Sequence, residues 1–582
     1  MGALDPSYQV AIEPAQVLAG VVSYPPGNPF ATYQLQAWTI WHQILAPLLA
    51  VGVGERALAI ATSAAVGAIS FTALAVMALA YGARPAFAIA TPFLLLDLVT
   101  DPDAWGFHYP ILLIRQGHTY GTAGFSWLVL VCGLFGAGCT RTAAFLLGLA
   151  PALHPTLGAI FGLLTGVCAL FGPPALRRPG VVAAGAAGLA ISVASFAAQR
   201  LLFPAASHSD PLVAAKYLDA FVRLWDYHRQ PVDLAAWNAV MVGCALLFCI
   251  VLLRGLPARL SAGNVFSTRI LLACGLFGIA ADIGLRNGIV DASSRAVAMA
   301  MPTRLLNFAA LAWVPIVIGF SDRFRAQPVA RLLLFSIAVL AVLAPQLPWL
   351  PHYGYWVFSV LPLVLVLQLA TQRAAMAKAS ALDSRVDAVI AIAFGVAVLA
   401  AIAPSVASAP ARLAALRDRG NDAALEAASR TERLLLLGPG LGRIQLRTRR
   451  PVLLDPEALD MLPYVADGGA EIARIVSEVY GIDFFDPPRH AMHLAVIPTQ
   501  PVRRIWQQRS TESWAELGAR FGASHVLVRS MWRLRLPEVA RTEFYALYRI
   551  PDPTASQWAQ PHAPSGSSES PRQELEDRSP RR

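Results

Sequence analysis

Residues 57–80, ALAIATSAAVGAISFTALAVMALA, run without a single charge. A helix over that stretch is about 36 Å long, more than the roughly 30 Å hydrocarbon core of a bilayer. Similar runs follow at AWNAVMVGCALLFCIVLL (236–253) and YWVFSVLPLVLVLQLA (355–370). In lipid a helix satisfies its backbone N–H and C=O groups internally, so helices are the fold these runs permit. Composition agrees, at 56% hydrophobic and 14% charged, where a soluble domain carries about 25% charged residues. The expected fold class is a polytopic α-helical membrane protein.

Twelve segments fit as spans, near 57–80, 85–100, 123–138, 142–154, 156–172, 180–203, 236–254, 267–286, 303–320, 329–344, 350–371 and 386–405. The short pair at 142–154 and 156–172 reads as two tilted helices or one broken helix around His154. Loops such as PPALRRPG, RGLPARLSAG, SDRFRAQPVAR and TQRAAMAKASALDSR are basic and fall on one side of this count. That side is expected to be cytoplasmic. Residues 1–35 and the loops 101–122, 204–235 and 287–302 then lie outside, with everything after 406, in a periplasm-like compartment. An outer N-terminal segment with no preceding span leads to the expectation of a first helix upstream of Met1.

The net charge of +10 comes almost wholly from Arg, with Lys only at 216 and 378. No basic stripe marks a soluble face, so nucleic acid is not an expected partner. The six Cys all fall in apolar spans, where they read as small hydrophobes rather than disulfides or metal ligands.

The expected organisation is an outer acidic loop (1–35), an interfacial helix (36–54), a helical bundle (55–405) and a helical connector (406–430). A small soluble α/β domain (431–555) and a disordered tail (556–582) complete it. RLLLLGP, HVLVRS and EFYALYRI read as strands, and AEIARIVSEVYG and TESWAELGARFGA as amphipathic helices.

Polar chemistry concentrates in LLLDLVTDPDAWGFHYPILLIRQGHTYG (94–121), where Asp101, Asp103, His108 and Arg115 follow an apolar run. Asp and Pro also punctuate helix ends, so each aspartate alone has an equal reading as a cap. Ionisable groups at a bilayer edge are functional candidates by default. His154 interrupts an apolar segment and reads first as a packed core residue. Arg304 and Asn307, three apart, suggest one helical face. Arg304 either snorkels to headgroups or pairs a lipid phosphate with its planar fork. GPGLG (438–442) lacks the spacing of a nucleotide loop and reads as a turn.

The layout resembles that of bacterial GT-C-type membrane glycosyltransferases and their relatives. DPSYQVAIEPAQVLAGVVSYPPGNPF looks like their acidic first outer loop, with Asp5 in the acidic position, and DPDAWGFHYP looks like a second. LLGLAPALHPTLGAIFG, MPTRLLNFAAL, RRPVLLD and IWQQRSTESWAELGARFGASHVLV look like recurrent segments of those relatives. The resemblance implies about 12 spans with an outer C-terminal α/β domain. It further implies transfer of a sugar from a polyprenyl-phosphate-linked donor on the outer face of a bacterial inner membrane. Asp5 or Asp101 would be the base with Asp103 in support. Arg115 or Arg304 would hold the donor phosphate, with His108, His154 and Asn307 behind them. The implied partners are a lipid-linked sugar donor and membrane lipids. A divalent metal stays open as cofactor, as does the oligomeric state. The rival readings are a polytopic solute transporter using Asp97, Asp282 and His154, or a membrane scaffold with an outer binding domain.

Overall fold

A computed structural model of the chain describes residues 11–36, 39–95, 120–203, 210–231, 237–255, 260–323, 331–336, 382–420, 422–489 and 495–552. Within them the protein is mostly helical, with a small sheet near the C-terminus. Among the described residues five helical segments are long and apolar enough to cross a membrane: Glu55–Ala80, Pro179–Leu202, Ala262–Arg286, Arg295–Arg323, which is interrupted at Met301, and Arg385–Ala411.

The first elements are α1 (Ile12–Leu18), α2 (Pro29–Gln36), α3 (Ile40–Ala50), α4 (Glu55–Ala80) and α5 (Pro85–Leu94). Residues 12–18 and 29–36 are therefore helical inside a segment that reads as loop from its prolines and polar residues. Then come α6 (Tyr120–Gly136), α7 (Thr140–Leu153), α8 (Pro155–Leu170), α9 (Pro179–Leu202), α10 (Pro211–Leu224) and α11 (Trp237–Gly255). The bundle continues with α12 (Ala262–Arg286), α13 (Arg295–Ala300), α14 (Leu306–Arg323) and α15 (Leu382–Gly420). Helices α5 to α8 are shorter than a full span. The expected span 350–371 and most of 329–344 lie outside the described residues.

The bundle core is built of large apolar side chains such as Phe125, Phe161, Phe266 and Trp313, and several of the polar residues buried among them are paired. The Ser70 and Ser126 hydroxyls meet at 2.7 Å across α4 and α6, and Tyr81 and Thr268 at 2.8 Å across α4 and α12. The Asn264 amide donates to the Ala80 carbonyl at 2.7 Å. Such pairing is needed where no water can reach. Helix α9 lies against α7 through Gly185 and Gly188, and its Ser192 hydroxyl donates to the Gly148 carbonyl at 2.8 Å.

The C-terminal unit holds α16 (Ala423–Ser429), β1 (Leu434–Leu437), α17 (Ile444–Thr448), α18 (Gly469–Glu478), α19 (Thr499–Gln508), α20 (Thr511–Phe521), β2 (Ala523–Arg529), β3 (Glu538–Arg541) and β4 (Tyr545–Arg549). The sheet order is β1-β2-β4-β3. β1, four buried leucines, pairs in parallel with β2, and the other two pairs are antiparallel. Trp514 and Trp532 each meet Trp506 edge to face in the core of this unit, at centroid distances of 5.2 and 5.8 Å.

This unit is stitched to the bundle at two places. Arg449 makes a two-pronged bond to Glu55 at the head of α4, 2.7 Å for each prong. Gln445 donates to the Glu13 carbonyl at 3.0 Å and accepts from Gln34 at 2.9 Å. On the other flank the Trp225 indole N–H donates to the Phe484 carbonyl at 2.8 Å, and Arg295 donates to the Tyr464 carbonyl at 2.6 Å.

Candidate functional site

Segments far apart in sequence meet under the C-terminal unit. Glu13 comes from α1, His154 from the α7–α8 junction, Arg229 from the turn after α10, and Arg304 from the turn before α14. Arg443, Asp455 and Asp460 descend from the C-terminal unit. With Tyr33, Tyr120 and Tyr464 they line a polar chamber of about 240 Å³.

Local backbone chemistry sets each position. His154 is extended (φ −145°) because the following Pro155 disfavours helix at the residue before it. Its Nδ1 caps α8 by accepting the Leu157 N–H at 3.5 Å. Met301 turns left-handed (φ 43°) and ends α13, and Pro302 then opens a tight 3₁₀ turn that carries Arg304. Arg304 thus sits in the 3₁₀ turn and Asn307 in the first turn of α14, which begins at Leu306. Arg443 is also left-handed (φ 62°), a conformation that strains a residue with a side chain.

The charges are arranged in pairs. Arg443 donates from Nη1 to Glu13 Oε2 at 2.8 Å, and the Glu13 side chain is only 5% exposed. Burial would lower the Arg443 pKa, but Glu13 and Asp455 outweigh it and hold the guanidinium charged. Arg229 donates from Nε to the Ala298 carbonyl at 2.7 Å and also pairs with the fully buried Asp226. Asp226 accepts in turn from His228 Nδ1 at 2.8 Å. Asp455 Oδ1 accepts the Glu457 N–H at 2.9 Å, and its Oδ2 lies 3.4 Å from the Arg443 backbone N–H. Burial, reinforced by the nearby Glu13 charge, pushes the Asp455 carboxyl up to about 7.

A second chamber, also about 240 Å³, adjoins the first and shares Tyr33, Tyr120, His154 and Tyr464 with it. Its remaining surface is mostly apolar, from Leu35, Pro155, Phe196, Phe203 and Met299, with Gln36, Thr39, Thr156, Gln199 and Arg200 between them. The Tyr33 and Tyr464 rings stand 5.9 Å apart at the junction. The nearby end of α9 is exposed at Leu201 (82%) and Leu202 (69%), a surface suited to lipid.

Of the residues expected from sequence, Arg304 and His154 line the polar chamber. Asn307 is fully buried one turn on and is not part of the lining. Asp5, Asp101, Asp103, His108, Arg115 and Asp97 lie outside the described residues. Asp282 pairs with Arg286 of its own helix at 2.7 Å. Glu13, Arg229, Arg443 and Asp455 are additions. Glu13 stands in the same acidic segment as Asp5, and Asp455 ends the RRPVLLD segment, so both had a usable signal, whereas nothing local marks Arg229 and Arg443. Among the described residues no three His, Cys, Asp or Glu side chains converge as a metal cage. No protein-family model, curated protein or solved structure matches the chain.

Chemically, the arrangement offers guanidinium groups for an anion, carboxylates for a proton, and an apolar slot beside both.

Proposed function

We propose that the chain is a membrane glycosyltransferase that takes a sugar from a polyprenyl-phosphate-linked donor at the outer face of the membrane. The carrying observation is the pair of chambers with a shared wall, one charged and one apolar. A lipid-linked sugar has the same two parts joined at its phosphate. The isoprenoid end occupies the apolar chamber, entering beside α9. The phosphate meets Arg304, whose planar fork suits two oxygens, with Arg229, held by Asp226 and the Ala298 carbonyl, as a fixed cation beside it. The sugar and the acceptor hydroxyl occupy the space bounded by Glu13 and Asp455. The finer architecture in this reading is GT-C-like, with about 12 spans and the C-terminal unit outside.

The test uses the full chain in proteoliposomes, with radiolabelled undecaprenyl-phosphate sugars as donors. Wild type transfers label. Arg304→Ala raises the apparent KM for the donor about 10- to 100-fold, the loss expected of one charge-assisted phosphate contact, with a smaller change in kcat. An unchanged KM removes Arg304 from the phosphate site. No turnover of any such donor, together with counterflow of a solute, turns the reading to a transporter.

A further inference from the structure

The polar chamber holds two carboxylates of unlike setting. Glu13 is gripped by the Arg443 guanidinium at 2.8 Å, so its lone pairs are engaged by a permanent cation. Asp455 receives only backbone N–H groups among the described residues, from Glu457 at 2.9 Å and more weakly from Arg443 at 3.4 Å. It is 6% exposed and borders the chamber. We propose that Asp455, carried into the chamber by the C-terminal unit, accepts the proton of the acceptor hydroxyl, with the Glu13–Arg443 pair as a fixed charge beside it. This rests on the transferase reading above.

The step balances. The acceptor oxygen forms a bond to the anomeric carbon, and the bond from that carbon to the phosphate oxygen breaks. Its electron pair leaves with the lipid phosphate, and the hydroxyl proton moves to the Asp455 carboxylate. A base works best with a pKa near the working pH, and Asp455 lies at about 7. Its electrostatic surroundings come from every side. Beyond burial, Glu13 on α1 raises it, the Glu457 backbone N–H and the Arg443 charge lower it, and the Glu457 charge raises it least. Tyr24 and Tyr480 approach from α1–α2 and from the end of α18. Arg229, Arg304, His154 and Asp460 line the rest of the chamber. The small α/β unit is then part of the site and not an appendage to it.

The experiment is the pH profile of kcat/KM for the full chain in proteoliposomes, with an undecaprenyl-phosphate sugar that wild type turns over. Wild type should lose activity with unit slope below about pH 7. Asp455→Asn should lose about 100- to 10,000-fold in kcat while still binding undecaprenyl phosphate. Glu13→Gln, whatever its maximal rate, should move the acid limb to lower pH because a neighbouring negative charge is gone. Arg443→Gln should move the limb to higher pH. If Asp455→Asn fails to fold, the opposed shifts of the other two variants read the same titration. Asp455→Asn within about 10-fold of wild type, or limbs that stay put in both other variants, overturns the proposal. Those outcomes leave wild-type turnover and lipid-phosphate binding intact. Absence of both in wild type sinks the transferase reading and this assignment together.

Discussion

Burial and Glu13 favour the neutral form of Asp455 in the folded chain, while the unfolded chain leaves an aspartate near its ordinary value of about 3.9. A raised folded pKa contributes stability that is fully present below about 3.9 and is lost as pH rises through about 7. The folded protein should therefore weaken from pH 5 to pH 8 by on the order of 2–4 kcal/mol from this group. Asp455→Asn keeps the oxygen that accepts the Glu457 N–H and removes the titration. Its melting temperature in detergent should fall less between those pH values than that of wild type; an equal fall would mean Asp455 is ionised in both states. The RRPVLLD segment ends on this residue, but nothing in it gives the residue a role, and its oxygen on the Glu457 N–H serves only a turn. What makes it more is a partner pair, Glu13 with Arg443, separated by 430 positions. Arg304 and His154 were easier to single out, because a charge or an imidazole inside an apolar run costs free energy and so invites a reason.

Helices α7 and α9 approach until backbone meets backbone. A Cβ on Gly188 would stand 2.1 Å from the Phe145 carbonyl oxygen, and one on Gly148 2.2 Å from that of Gly185. Neither neighbour is a flexible side chain, so the helices must part. Gly188→Ala should lower stability by about 1–3 kcal/mol, as overpacking does. Gly162 on α8 has open space around it, so Gly162→Ala should be neutral or slightly stabilising through helix propensity. Thermal unfolding of the two variants in detergent decides it, and equal melting temperatures would mean the α7–α9 crossing is looser than described. At this scale the apolar runs that fall within the described residues were legible as helices, because lipid leaves the backbone no other partner. The buried strands β1, β2 and β4 were legible from their leucines, valines and aromatics. Strand β3 was not: Glu538–Arg541 is an edge strand, its residues exposed or only partly buried and with no apolar alternation. Helix α19 was missed as well, since Thr499–Gln508 carries a proline and only Val502 and Trp506 are buried.

Helix α4 links the two ends of the molecule. Its 26 residues reach about 39 Å. Glu55 at its head pairs with Arg449 of the C-terminal unit. Just past its tail, Arg84 pairs with Asp322, which also holds the buried Arg331 at 2.8 Å. Asp387 joins the same cluster from α15. The tail end also gathers Arg323 on Asn264 and Arg269 on Phe171, and Arg141 lies beside Gly180, just past the Arg177–Arg178 turn. Arginines of the short inter-helix loops thus gather at the end away from the chambers, although Arg229, Arg295 and Arg304 stand at the chamber end. It is short basic loops that are retained in the cytoplasm. The C-terminal unit and both chambers are then expected outside. Cys139, exposed at the α6–α7 turn, is a natural reporter for the arginine-rich end, and exposed Ser477 on α18 serves for the other. With the other five of the six cysteines replaced, Cys139 should react with a membrane-impermeant maleimide only after the cells are opened. A cysteine-free chain carrying Ser477→Cys should react in intact spheroplasts. The reverse pattern would put the chambers in the cytoplasm, where a donor displayed on the outer leaflet does not reach them, and the proposed transfer would have no substrate at that face.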